Sequence, residues 1–323
     1  AVLSAHAVAA PPAKPAGSTA KPSPEFKAAV EEFKGVIAAS KARNVHNLPF
    51  IRVHPNDNRR SILLIHGLTD SPYYMKELGD IFYEKGYNVV GILLPGHGTR
   101  PEDLHDVKLA QWQAAVDKGL SIARRLGGET SIGGFSTGGA LALDAVARHF
   151  PGEKNHSWVY GDIYLFSPAV DLPVTSRVGA KAFCAVGKKW VDANAVEDSE
   201  YRYRKMSSNA VCQLIKLIDA NMAAKATITG FLQGHGVYAV QSMADATVKP
   251  AATVSLVGDL PEGASGFFDP YAKAEGIAHA DVTRSESNKN FASLKENLVE
   301  FVERCTVGNV ENAKMRTPSL YKP

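Results

Sequence analysis

The amino-acid sequence predicts an α/β architecture: a mostly parallel central sheet with helices on both faces and a helical insertion. Three observations point there. Short β-branched runs alternate with amphipathic stretches of helical length, which implies parallel pairing with the helices covering the sheet. A Gly-x-Ser-x-Gly pentapeptide sits where one run meets one helix. The alternation then lapses between about residues 169 and 233 and resumes afterwards.

In order along the chain, a helical stretch near 25–42 precedes Ser61–Ile65, an apolar run too short and β-branched to prefer helix. An amphipathic segment at 73–85 leads to a strand at 87–94, a helix at 109–126, a strand at 130–135 and a helix at 137–149. Asp162–Phe166 reads as a strand, and 169–233 as a helical insertion above the sheet. Strand signals return at Val237–Gln241, followed by a helix near 249–258, a weak strand around 277–283 and a closing helix at 290–304. The stretch holding Gly263, Gly266 and Pro270 reads as a loop. The expected organisation is a leader over 1–24, a core over 25–168 and 234–305, an insertion over 169–233 and a tail over 306–323.

With 45% hydrophobic and 21% charged positions, the 323 residues supply a sizeable core. No apolar run approaches the roughly 18 residues of a membrane span. The 36 basic and 33 acidic residues are interspersed without a basic, aromatic-laced stripe, so nucleic acid is not an implied partner. Cys184, Cys212 and Cys305 are too few and too scattered for a disulfide scaffold or a metal site. A Cys184–Cys212 bridge in an exported protein and buried free thiols are both open. The Ala- and Pro-rich residues 1–24 resemble a flexible leader near an export signal, with a periplasmic or secreted location expected and a cytoplasmic tail as the alternative.

Gly134-Phe135-Ser136-Thr137-Gly138 falls at a strand-to-helix junction. A nucleophile there stands on a turn so sharp that positions two residues away tolerate little side chain, a demand that glycine at both flanks meets. The helix beginning at Thr137 points its free amides and positive end at the reaction centre. As a bare pattern the pentapeptide also describes Gly-rich loops, but neither nucleotide-binding fingerprint is present. His66-Gly67-Leu68 follows an earlier strand, and the loop at that place would supply a second oxyanion-hole amide. The two donors are then the backbone N–H groups of Leu68 and Thr137, and His66 reads as a structural loop residue.

Four histidines follow Ser136: His149, His156, His235 and His279. If the order is nucleophile, acid, base, His149 at a helix end, His156 in a polar loop and His235 before a strand fit poorly, which leaves His279. The acid should lie just beyond a preceding strand. Asp245 fits best, with Asp259 and Asp269 behind it; the alternative for Asp245 is a helix N-cap or an Asx-turn residue.

Five pieces in order resemble the α/β-hydrolase superfamily, in the branch of bacterial carboxylesterases that is also similar to monoglyceride lipases and serine aminopeptidases. They are His66–Pro72, Leu94-Pro95-Gly96-His97-Gly98, Gly134–Gly139, Gln241–Val248 and Ile277-Ala278-His279, within residues 60–304. The resemblance implies the α/β-hydrolase fold, a Ser136–Asp245–His279 triad, an oxyanion hole at Leu68 and Thr137, and a cap over 169–233. It makes His97 a shape element. The base departs from the family's Gly-x-Gly-His setting, standing in Gly276-Ile277-Ala278-His279-Ala280.

The reaction expected is hydrolysis of a small-molecule ester through an acyl-enzyme, with no metal or organic cofactor required. Lys181, Lys188, Lys189, Arg202, Arg204 and Lys205 make the insertion too charged for a broad lipid-binding lid, which favours small or short-acyl esters. An aminopeptidase-type amide hydrolase and a non-catalytic binding protein on the same fold are the alternatives. Serine at the elbow disfavours dehalogenase chemistry, which needs a carboxylate nucleophile. The oligomeric state is not legible.

Overall fold

Arg60–Ile65 forms a strand whose inward and outward residues are buried alike, as a central parallel strand requires. The computed structural model describes residues 21–55, 59–149, 161–186, 190–192, 200–232, 234–260 and 266–306. Most of the expected leader and tail, His156, Lys188 and Lys189 lie outside these residues.

In chain order the elements are α1 (Pro24–Ala39), β1 (Phe50–Arg52), β2 (Arg60–Ile65), α2 (Lys76–Glu84), β3 (Asn88–Ile92), α3 (Leu109–Leu126), β4 (Glu129–Phe135) and α4 (Thr137–His149). They continue with β5 (Ile163–Phe166), α5 (Val174–Val186), β6 (Trp190–Asp192), β7 (Lys205–Ser207), α6 (Ser208–Ala223), α7 (Lys225–Leu232), β8 (Val237–Ser242), α8 (Pro250–Gly258), β9 (Gly266–Tyr271) and α9 (Phe291–Thr306). A seven-stranded sheet runs β1-β3-β2-β4-β5-β8-β9, with β1 antiparallel to β3 and every other pairing parallel. Register pairs Ile65 with both Ile92 and Gly134, and Phe135 with Phe166, so the carboxyl ends of the central strands meet along one edge.

Side-chain alternation splits the core into two layers. Leu63, Val90, Ile132, Leu165 and Ala239 face α1, α3, α4 and the helices after β5. Ile62, Leu64, Val89, Tyr164 and Val240 face α2 and α9. Helix α3 shows how the pattern makes the packing: Trp112, Val116, Leu120 and Ala123 recur every three or four residues and all are buried. Among the described residues no helix is long and apolar enough to cross a membrane.

Three expectations need correction. Residues 277–283 are not a strand; a single 3₁₀ turn, His279–Asp281, sits in an irregular loop. Its apolar residues Ile277 and Val282 are anchors plugged into the second core layer rather than one face of a pleat. Ser242 Oγ donates to the Ile277 carbonyl at 2.6 Å, and Asn288 Nδ2 to that of Val282 at 2.9 Å. The last strand is instead β9, whose Gly266 and Pro270 read as loop residues; as an edge strand paired only with β8, it tolerates a proline. The segment between β5 and β8 is not wholly helical, because β6 and β7 form an antiparallel ribbon within it. Of the two states open for Cys184 and Cys212, the structure has the disulfide, which joins α5 to α6.

Candidate active site

Ser136 stands between β4 and α4 with φ of 54°, in the left-handed region that a serine adopts only when its surroundings hold it there. Those surroundings are explicit. Its N–H donates to the Phe166 carbonyl at 3.0 Å, and its carbonyl accepts from Ala140 N–H at 3.1 Å and Ala169 N–H at 2.9 Å. Close approach explains the flanking glycines. A Cβ on Gly138 would sit 2.6 Å from the carbonyl carbon of Ile65 and 2.7 Å from the His66 oxygen, and one on Gly134 would sit 2.6 Å from Gly139 N. Gly138→Ala should therefore push the turn off β2, lowering stability by about 2–3 kcal/mol in a urea titration.

His279 Nδ1 lies 2.6 Å from Asp245 Oδ2, and Nε2 lies 2.9 Å from Ser136 Oγ. An ionised carboxylate only accepts, so the ring proton sits on Nδ1, and bare Nε2 accepts from the serine hydroxyl. Phe135 packs against the imidazole at a centroid distance of 4.9 Å. Asp245 has a fully buried side chain, and Oδ1 accepts from Thr247 N–H at 2.8 Å and Val248 N–H at 3.0 Å. It is thus an Asx-turn residue as well as the partner of His279; the two readings do not compete. Gln241 Nε2 donates to Oδ2 at 3.1 Å, while its Oε1 accepts from Thr253 Oγ1, which fixes the carboxylate plane. The sequence assigns Gln241 no role, although a polar side chain closing the apolar run Val237–Val240 is a signal for one.

The two runners-up lie elsewhere. Asp259 caps the end of α8 in an exposed pair with Lys225. Asp269, on β9, accepts from Tyr238 Oη and Asn297 Nδ2 within the core, where burial pushes its carboxyl up. His149 pairs with Asp117, and His235 stacks on Phe231.

The loop after β2 is held in place by two buried histidines. Leu94 N–H donates to His66 Nε2 at 3.1 Å, so His66 Nδ1 carries the proton and donates to the Gly67 carbonyl at 2.8 Å. His97 Nε2 donates to the Leu68 carbonyl at 2.7 Å, which orients the peptide group on one side of Leu68. Thr137 is the first residue of α4, where N–H groups lack intrahelical partners. Burial holds His97 below its ordinary value and His66 down at about 3. Because the folded value of His66 is depressed, its contribution to stability is complete above about pH 6.5 and is lost as pH falls toward 3, a full swing of about 5 kcal/mol. The urea midpoint should fall across that window, and His66→Gln should flatten the slope by up to one proton.

Beside this loop, Asp70 and Arg202 form a buried ion pair with Nε 2.5 Å from Oδ1. Arg202 is 3% exposed, so of the six cations counted toward a charged insertion this one adds nothing to its surface. Val174, Val178 and Met222 on that segment are instead exposed. Among the described residues no cluster of His, Cys, Asp or Glu has the make-up to hold a metal ion.

Residues 62–283 match the model of the alpha/beta hydrolase family. The thermostable monoacylglycerol lipase of Bacillus sp. (strain H-257) is 34% identical over 160 residues, which make up 49% of this chain and 61% of that protein. The match thus spans less than two thirds of the relative's length. Among solved structures, one from work on LipS and LipT, two metagenome-derived lipolytic enzymes, superposes with a TM-score of 0.62 at 20% identity, covering 79% of this chain and 97% of that one. A soluble variant of monoglyceride lipase from Saccharomyces cerevisiae, bound to a substrate analogue, gives 0.60 at 15% identity, over 80% of this chain and 90% of that one. Likeness at that level shows the shared fold.

Proposed function

Since the chain belongs to the alpha/beta hydrolase family, we propose that it is a serine carboxylesterase acting on small or short-acyl esters through an acyl-enzyme. The observation that carries this reading is the continuous hydrogen-bonded series Ser136–His279–Asp245, with 2.9 and 2.6 Å links. His279 takes the serine proton as Oγ attacks the ester carbonyl, and Asp245 stabilises the imidazolium that forms. The N–H groups of Leu68 and Thr137 hold the oxyanion. His279 then protonates the departing alkoxide, and a water activated by the same ring releases the acyl group. Ester rather than amide chemistry is supported by the monoacylglycerol lipase relative. Residues 169–233 act as the cap that sets acyl and alcohol preference. Their Cys184–Cys212 disulfide supports a periplasmic or secreted location.

The test is labelling with a fluorophosphonate followed by peptide mapping, alongside nitrophenyl esters of rising chain length and a monoacylglycerol. The expected result is label on Ser136 alone, with turnover falling from acetate and butyrate toward long chains. Folded protein that takes no label at Ser136 would refute the mechanism. A maximum at long chains would refute the size preference only.

A further inference from the structure

Within the insertion, the segment 200–204 is hydrogen-bonded to the core loops beside the site rather than standing free above them. Asn44 and Asn47 side chains donate to the Glu200 carbonyl, and Arg43 Nη2 donates to that of Arg202. Tyr203 N–H donates to the Thr69 carbonyl at 2.8 Å, and its hydroxyl, which accepts from Thr99 N–H, donates to the Gly96 carbonyl. Arg202 lies between these anchors, and its guanidinium meets both halves of the site. Nε reaches Asp70, two residues after Leu68, and Nη2 donates to the carbonyl of Ala280, next to His279, at 3.3 Å. The aromatic face of Tyr74, 4.2 Å away, closes the remaining side.

We propose that Arg202 is a positioning residue: one guanidinium ties the oxyanion loop to the base loop and neutralises Asp70, leaving Asp245 as the carboxylate that acts on His279. The inference rests on the serine-hydrolase reading. Asp70 needs a counter-charge. It is buried, its Oδ2 has no hydrogen-bond partner, and against the burial Arg202 holds its carboxyl below the ordinary value, with smaller pulls from His66 and His279. Asp245 after β8 and Ser136 at the elbow are hydrogen-bonded to the imidazole, Asp70 after β2 is paired by Arg202 from the insertion, and Asp281 on the base's own loop also acts on Arg202. Asp281 and Arg284, from the base's own loop, pair with each other at 3.7 Å. An arginine is suited to the task because its planar fork can serve two acceptors at once while keeping its charge when buried, which a lysine ammonium does less well.

The test is the pH dependence of the second-order rate of fluorophosphonate labelling, which needs a neutral His279 and no knowledge of the natural substrate. With Arg202→Gln the unbalanced Asp70 anion favours the imidazolium, so the acid limb should move up by about one pH unit. Asp70→Asn leaves an unbalanced cation and should move the limb down. The double variant should return it to the wild-type position. Arg202→Lys should keep the limb in place while labelling about tenfold more slowly, as the second link is lost. Removing one partner of a buried pair is destabilising, so urea titration sets the folded fraction for each variant. If Arg202→Gln does not fold, Asp70→Asn and the double variant carry the test. Limbs that stay at the wild-type pH in folded single variants, with Ser136 still labelled, overturn the inference alone; an unlabelled wild type overturns the mechanism beneath it.

Discussion

Ser136→Ala is expected to lower kcat for nitrophenyl ester hydrolysis by about 10⁶-fold while leaving the protein folded. In the proposed mechanism the three residues act as a unit: without Ser136, His279 and Asp245 would have nothing to activate, and what remains would be the modest acceleration from binding and oxyanion donors. The prediction is sharp because the substitution is structurally quiet. Serine and alanine incur a similar cost for φ of 54°, and the bonds that hold the turn, from Ser136 N–H to Phe166 and from Ala140 and Ala169 to the Ser136 carbonyl, are all backbone. Oγ is hydrogen-bonded to His279, so its loss removes one side-chain link and leaves the backbone intact. An unchanged urea midpoint with turnover gone is the expected pair of measurements. Turnover within tenfold of wild type would transfer the chemistry to another residue.

Asp245→Asn is expected to cost about 10⁴-fold in kcat with little change in KM. The amide keeps the shape and leaves Oδ1 to accept from Thr247 and Val248 N–H, so the turn after β8 survives. At Oδ2 it substitutes a donor for an acceptor, facing His279 Nδ1 at 2.6 Å and Gln241 Nε2 at 3.1 Å. The ring must then place its proton on Nε2, where it can no longer accept from Ser136. Kinetics at several pH values, with circular dichroism to verify folding, checks this. A near-normal rate would remove Asp245 from the role. Asp269 could not inherit it without rebuilding β9, because it faces Tyr238 and Asn297 in the core.

Much of the scaffold is legible in the chain because local chemistry dictates it. Helix α3 is found at Leu109–Leu126 and α4 at Thr137–His149, where apolar spacing and flanking breakers place them. The errors fall where local signals and tertiary demands part. Ile277 and Val282 read as half a strand because burial, which they do have, is a property that anchors share with pleated positions. Gly266–Tyr271 reads as a loop because its glycine and proline are tolerated only at a sheet edge, and edge position is decided by strand order.

The site divides in the same way. By itself the sequence determined the steric case for Ser136, since Gly134 and Gly138 flank it at the spacing a strand-to-helix turn demands, and elimination left His279 among the four following histidines, with Asp245 ahead of Asp259 and Asp269. Only the tertiary structure decided that His279 lies between Ser136 and Asp245, that Gln241 bonds the carboxylate of Asp245, and that Arg202 is buried against Asp70. The physical reason is the separation of the parts. A glycine's clash with the next strand is written in neighbouring residues, but the partner of a buried charge 132 positions away is chosen by how the chain packs.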